Sequence, residues 1–257
     1  ERAEIVGDRL ILAYLKDAKS VAEVRSLDGK PIQQIALNAI GTASGFSGEP
    51  GDPETFYSFS SFNQPSGIYR FDTRTGKSEP FALPKLTFNP EDYQVEQQFY
   101  ASKDGTRVPL TILRRKGTKL NGNNPTLLTG YGGFEIALTP HYSPSTKVWL
   151  EQGGIHAIAH IRGGGEFGHA WHTGGNLLVK QNVFDDFHAC IQRLFELKYT
   201  RPERLAIEGG SNGGLLMGAT LTQHPDAFKA VITHVGIYDM LRVELAPNGQ
   251  FNTTEFG

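Results

Sequence analysis

One stretch constrains the fold more than any other: Leu205-Ala206-Ile207-Glu208-Gly209-Gly210-Ser211-Asn212-Gly213-Gly214-Leu215-Leu216-Met217. An apolar run of β character ends in glycines, a serine follows, and LLMGATLTQH then suits a helix. Gly209-x-Ser211-x-Gly213 in a strand–turn–helix setting is the spacing of a nucleophile elbow. Glycines two positions to each side let neighbouring chain pass without a Cβ clash while the serine sits in strained backbone. Its hydroxyl then projects from the C-terminal edge of a sheet, close to the positive end of the following helix. The backbone N–H of Asn212 is placed there to stabilise an oxyanion. The plainer alternative is a glycine-rich turn with an N-capping serine.

Thr129-Gly130-Tyr131-Gly132-Gly133-Phe134 is a second strand end that opens into glycines, where an α/β-hydrolase places its other oxyanion donor. The Tyr131 phenol can donate to developing negative charge, or the ring can simply pack on the loop. Ile161 to Gly168 satisfies G-x-G-x-x-G, but HAWHTGGN after it reads as turn where a dinucleotide site needs a helix, so no nucleotide cofactor is expected. No metal is expected either. His156 and His160 lie in a strand pattern, about 13 Å apart on one face, and they and the pair His169/His172 read as structural.

A serine nucleophile needs a general base oriented by an acid, in the order Ser, Asp or Glu, His for this fold. His224 ends the helix that starts at the nucleophile, ~20 Å along its axis, and His234 ends the next strand with little chain behind it. Both read as structural, so the catalytic Asp and His are expected outside this chain. The 257 residues taken alone are then expected to be inactive.

Short β-type runs separated by turns fill the first part: RLILAYL, VAEVRSL, PIQQIAL, TFYSFSSF and GIYRFDT. IYRFDTRTG ends a strand in a tight turn, the kind of unit that recurs once per propeller blade. After about Leu83 a hairpin, Gln94 to Tyr100 and Val108 to Arg114, leads into alternating strands and helices, among them an amphipathic helix over Lys180 to Lys198. This half is α/β with a mainly parallel sheet and helices on both faces. With 25 basic and 27 acidic residues there is no net field to attract nucleic acid, and no apolar run is long enough for a membrane span. The single cysteine, Cys190, excludes an internal disulfide and reads as a buried thiol.

The chain resembles the prolyl oligopeptidase family of serine peptidases along nearly its whole length: YLKDAKSVAEVRSLDG, FYASKDGTRVPLTI, TGYGGFEIALTPHYS, IRGGGEFGHAWHTGG, KQNVFDDF, GGSNGGLLMG and VGIYDML. The resemblance implies the last blades of a β-propeller over 1–84 and the N-terminal part of an α/β-hydrolase domain over 85–257. It implies Ser211 as nucleophile, Asn212 as backbone oxyanion donor and Tyr131 as phenolic donor. It further implies short peptides as substrates, a monomer when complete, no cofactor and a cytoplasmic location, with periplasmic or secreted as alternatives. Phe134 and Ile237 match the walls of the pocket for the residue before the scissile bond. The pocket's stacking tryptophan falls on Asn252, and a tyrosine there becomes Phe256. Cleavage after proline is the leading expectation. The alternatives are a different or relaxed preference in the same family, and a non-catalytic binding protein.

Overall fold

The computed structural model describes residues 2–257, which divide into two compact units: 2–92 with 139–144, and 93–138 with 145–257. The first unit holds two four-stranded antiparallel meanders. One runs in order β1 (Arg2–Val6), β2 (Arg9–Lys16), β3 (Lys19–Arg25) and β4 (Pro31–Gln34). The other runs β5 (Gly41–Gly45), β6 (Glu54–Ser61), β7 (Gln64–Asp72) and β8 (Ser78–Ala82). Alternation of side chains on a pleated strand sends one set of residues inward, and Val6, Ile11, Val24, Phe46, Tyr57, Phe59 and Phe71 form the core. Phe46, Tyr57 and Tyr69 stack at centroid spacings of 4.7 and 5.4 Å. Four-stranded meanders of this kind are propeller blades.

The second unit is built on a six-stranded sheet: β9 (Tyr93–Ala101), β10 (Arg107–Arg115), β11 (Thr126–Gly130), β12 (Ile155–Ala159), β13 (Leu205–Gly210) and β14 (Ala230–His234). Its spatial order is β14-β13-β11-β12-β10-β9. β9, β10 and β12 pair antiparallel, while β12, β11, β13 and β14 run parallel. Strands buried on both faces read as near-continuous apolar runs, and Leu128, Ile155, Ala157, Leu205 and Ile207 are all sealed from solvent. Helices α1 (Pro144–Glu151), α2 (His169–Thr173), α3 (Gln181–Glu196), α4 (Asn212–Gln223) and α5 (Gly249–Phe256) complete the fold. α3 buries Val183, Phe187, Cys190, Ile191 and Leu194 at helical spacing. Burial pushes the Cys190 thiol well up, as suits an inert structural cysteine. HAWHT, expected as turn, forms the short helix α2. No helix among the described residues is long and apolar enough to cross a membrane.

A buried ion pair fixes α3 against the sheet. Arg162, just past β12, donates from Nε and Nη2 to the two oxygens of Asp186 at 3.0 and 2.7 Å, and its backbone N–H adds a third bond to Asp186 at 3.0 Å. Asp186 is fully buried, and Asp104 in the β9–β10 turn takes a further bond from Arg162 Nη1 at 2.6 Å. Burial alone would lower the guanidinium's pKa, but the two aspartates raise it. The Arg162 bond and the Thr106 amide hold the Asp104 carboxyl well below its usual range. Removing one partner strands the other charge in the interior, so Asp186→Asn is expected to cost ~3–5 kcal/mol in urea unfolding. A depressed folded pKa contributes stability above the unfolded carboxyl pKa of ~3.9 and loses it as pH falls through the folded value. Asp104→Asn is therefore expected to lower stability at neutral pH and to flatten its decline below about pH 4.

Candidate active site

The chain passes from β11 to β12 on one side and then crosses to β13 on the other, so a topological switch point lies at β11/β13. Ligand sites of open α/β sheets form at the carboxyl ends of strands at such a point. The residues following β11 are Tyr131-Gly132-Gly133-Phe134, and the residue following β13 is Ser211.

Ser211 has φ 57° and ψ −117°, a backbone state that costs a side-chain-bearing residue of order 1–3 kcal/mol. Its surroundings hold it there. The Ser211 N–H donates to the His234 carbonyl at 2.8 Å, and the Ser211 carbonyl accepts from Leu215 at 3.1 Å to open α4. A Cβ on Gly209 would stand 2.3 Å from the Gly213 carbonyl oxygen, so the elbow closes only with glycine at that position. Asn212 occupies the first turn of α4, where backbone N–H groups have no partner within the helix. These amides and the helix dipole make the point beside Ser211 favourable for negative charge.

The buried Asn212 side chain ties the two glycine loops together. Its Nδ2 donates to the Tyr131 carbonyl at 2.6 Å, and a Cβ on Gly133 would lie 2.5 Å from that same nitrogen. A Cβ on Gly213 would come within 3.5 Å of the Tyr131 ring. Tyr131 and Asn212 are thus both brought to the Ser211 turn. His234 reaches the serine only through its backbone, since its exposed ring pairs with Glu208 at 3.2 Å. His224 stacks on His188 with ring centroids 3.5 Å apart. His156 and His160 take separate partners, Thr129 and Thr111.

The loop after Tyr131 rests on α5. Glu255, 1% exposed, accepts from the Phe134 N–H at 2.9 Å, from His172 Nε2 at 2.8 Å and from Lys180 Nζ at 2.7 Å. Lys180 also donates to the Gly132 carbonyl at 2.9 Å. Burial lowers the Lys180 pKa and Glu255 opposes the shift. Phe134 meets Phe256 edge-on at 5.8 Å, which brings two of the four expected pocket residues together. Asn252 lies on α5 at 3% exposure, and Ile237 is half-buried in the segment after β14. Sequence reasoning read His172 as structural and assigned no role to Lys180 or Glu255. Their contacts span up to 121 positions and no local pattern announces them.

The profile described as the prolyl oligopeptidase family matches residues 140–257, and that of the prolyl oligopeptidase N-terminal β-propeller domain matches 1–84. A prolyl endopeptidase of Elizabethkingia miricola is 46% identical over 92% of this chain and 34% of its own length. One of Dictyostelium discoideum is 41% identical over 97% of the chain and 33% of its own length. A solved structure from a study of two prolyl endopeptidases superposes with TM-score 0.93 at 49% identity, covering all of this chain and 38% of that one. Prolyl oligopeptidase B of Galerina marginata, bound to a 25mer macrocyclization substrate, superposes with TM-score 0.93 at 33% identity over all of this chain and 36% of its own. The chain spans about a third of the length of the curated relatives it matches.

The strain at Ser211 reverses the usual ranking of alanine over glycine, which is ~0.5–1 kcal/mol inside regular elements. Ser211→Gly relieves the positive φ whereas Ser211→Ala keeps a Cβ there. Thermal unfolding is expected to find the glycine variant the more stable of the two by about 1 kcal/mol.

Proposed function

Because the chain belongs to the prolyl oligopeptidase family, we propose that it carries the nucleophile and oxyanion hole of a serine oligopeptidase that cleaves short peptides through an acyl-enzyme. The observation that carries this reading is the meeting of the Ser211 elbow with the Tyr131 loop at the β11/β13 switch point, joined by the Asn212–Tyr131 bond. In the proposed reaction Ser211 Oγ attacks the scissile carbonyl carbon and passes its proton to a histidine base. The carbonyl oxygen gathers negative charge and is held by the Asn212 backbone N–H and the Tyr131 hydroxyl. Collapse of the tetrahedral intermediate breaks the C–N bond and releases the amine, which takes up the proton from the base. Water then repeats the sequence on the ester and frees Ser211. His224 and His234, whose rings are engaged with His188 and Glu208, are not assigned as the base. The proposal draws the base and its orienting acid from outside these residues.

Cleavage on the carboxyl side of proline is the preferred specificity, supported by the apolar Phe134–Phe256 pair and by relatives named prolyl endopeptidases. A relaxed preference is the second reading. It is favoured by Asn252, where the family resemblance places a tryptophan and an amide cannot give a proline ring an apolar face to stack on.

A fluorophosphonate is expected to label Ser211 in the full-length protein, and labelling that persists in Ser211→Ala would overturn the assignment. Tyr131→Phe is expected to lower kcat on the order of 10²–10³-fold, the effect of losing one oxyanion donor, with little change in KM. For specificity, kcat/KM is to be compared on matched peptides with proline or alanine before the scissile bond. A preference for proline above ~10-fold supports the first reading and near equality the second.

A further inference from the structure

The short helix α2 places His169 and His172 three positions apart, so their rings share one face. That face meets Glu135, the residue that follows Phe134 in the Tyr131 loop. His169 Nδ1 lies 3.4 Å from Glu135 Oε2 and His172 Nδ1 lies 3.8 Å from the same oxygen. One ligand atom from each of the three residues falls within 4.8 Å of the others. An ion bound tetrahedrally at ~2.0–2.1 Å from its ligands separates neighbouring ligand atoms by about 3.4 Å, close to this spacing.

Glu255 adds an independent indication. It accepts a hydrogen bond from His172 Nε2 at 2.8 Å, and since a carboxylate only accepts, the proton sits on Nε2. In the neutral ring the lone pair is then on Nδ1, a buried atom with no hydrogen-bond partner of its own that faces Glu135. A ligating histidine whose other nitrogen donates to a buried carboxylate is the arrangement that orients metal-binding imidazoles. His169 and Glu135, with side chains 76% and 45% exposed against 14% for His172, leave an open path from solvent.

We propose that His169 Nδ1, His172 Nδ1 and Glu135 form a binding site for a divalent transition-metal ion of the Zn²⁺ class, with the remaining coordination positions filled by water. Two imidazoles and one carboxylate suit Zn²⁺ and its late first-row neighbours rather than Mg²⁺ or Ca²⁺, which take oxygen ligands. The ion would fasten α2 to the loop that carries Tyr131, because Glu135 follows that loop directly and Glu255 already binds both His172 and the Phe134 amide. The site is independent of the peptidase reading and requires no catalytic step.

The test is titration of the metal-stripped full-length protein with Zn²⁺ against a chromophoric chelator, and with Co²⁺ followed by its visible ligand-field bands. The wild type is expected to bind a single ion per chain at micromolar concentration or below and to give the intense bands of low-coordinate Co²⁺. His169→Ala and Glu135→Gln each alter an exposed side chain, and their unchanged melting without metal would show that both fold. Both are expected to weaken binding by at least ~10-fold, the lower end of what loss of even an outer-shell partner costs. Wild-type protein that binds neither ion, or binding left intact in either variant, would overturn the proposal.

Discussion

Because β11 pairs with β12 on one side and with β13 on the other, the loops that leave β11 and β13 must emerge side by side at one edge of the sheet. Everything assigned to the site follows from that adjacency. Parallel pairing in register, Thr126 with Leu205 through Thr129 with Glu208, sets how far each strand runs before its loop begins. The space left between the loops is narrow: a Cβ on Gly213 would stand 2.8 Å from the Gly130 carbonyl oxygen, and one on Gly133 would displace the Asn212 amide. Gly213 and Gly133 thus answer to the adjacency of the two strands, whereas Gly209 answers to closure of the elbow itself, and the Asn212–Tyr131 bond at 2.6 Å registers one loop against the other.

A strained serine persists only where the surroundings over-determine it. Ser211 is pinned from three directions: its N–H to β14, its carbonyl into α4, and its neighbour Asn212 into the Tyr131 loop. Behind it α4 buries Leu216 and Met217 in the same core as Phe187 and Ile207. Burial of apolar surface at ~25 cal/mol per Å² across such a cluster outweighs a local cost of order 1–3 kcal/mol. Dense packing thus holds the backbone state that aims the hydroxyl out of the sheet.

The parts of the fold legible in the sequence are those whose signal is local. β11, β12 and β13 read as apolar runs ending in glycine, and α3 reads as a helix because Val183, Phe187, Cys190, Ile191 and Leu194 recur at its period. Ser211 and Tyr131 stand out as candidates for the same reason, each beside glycines at the end of such a run. Other elements depend on partners far along the chain. β5 (GTASG) has no alternation of its own and is a strand because β6 pairs with it; β8 is exposed throughout and is held by β7. α5 carries two threonines and a glycine, and what it buries includes Asn252 and Glu255 rather than an apolar stripe. α2 was read as turn because five residues cannot display a helical period, although they suffice to align His169 with His172.

The two buried charge clusters of the second unit are better understood as positioning devices than as sources of stability. Desolvating a carboxylate and its cationic partner costs about as much as their attraction returns, and well-packed apolar side chains often do as well. Apolar contacts, however, are nearly indifferent to rotation, whereas Arg162 and Asp186 meet through three directed bonds that fix α3 in one register against β12. Glu255 and Lys180 act in the same way on the Tyr131 loop. Lys180 holds the Gly132 carbonyl and Glu255 the Phe134 amide, so the peptide groups on either side of Gly133 are oriented from beneath. Phe134 has φ 55°, a value its side chain disfavours, and its amide bond to a carboxylate resists relaxation toward a commoner state. Residues 132–134 are thus held by charge from below and by Asn212 from the side, which leaves the Tyr131 ring, only partly buried, on a backbone with little freedom to move.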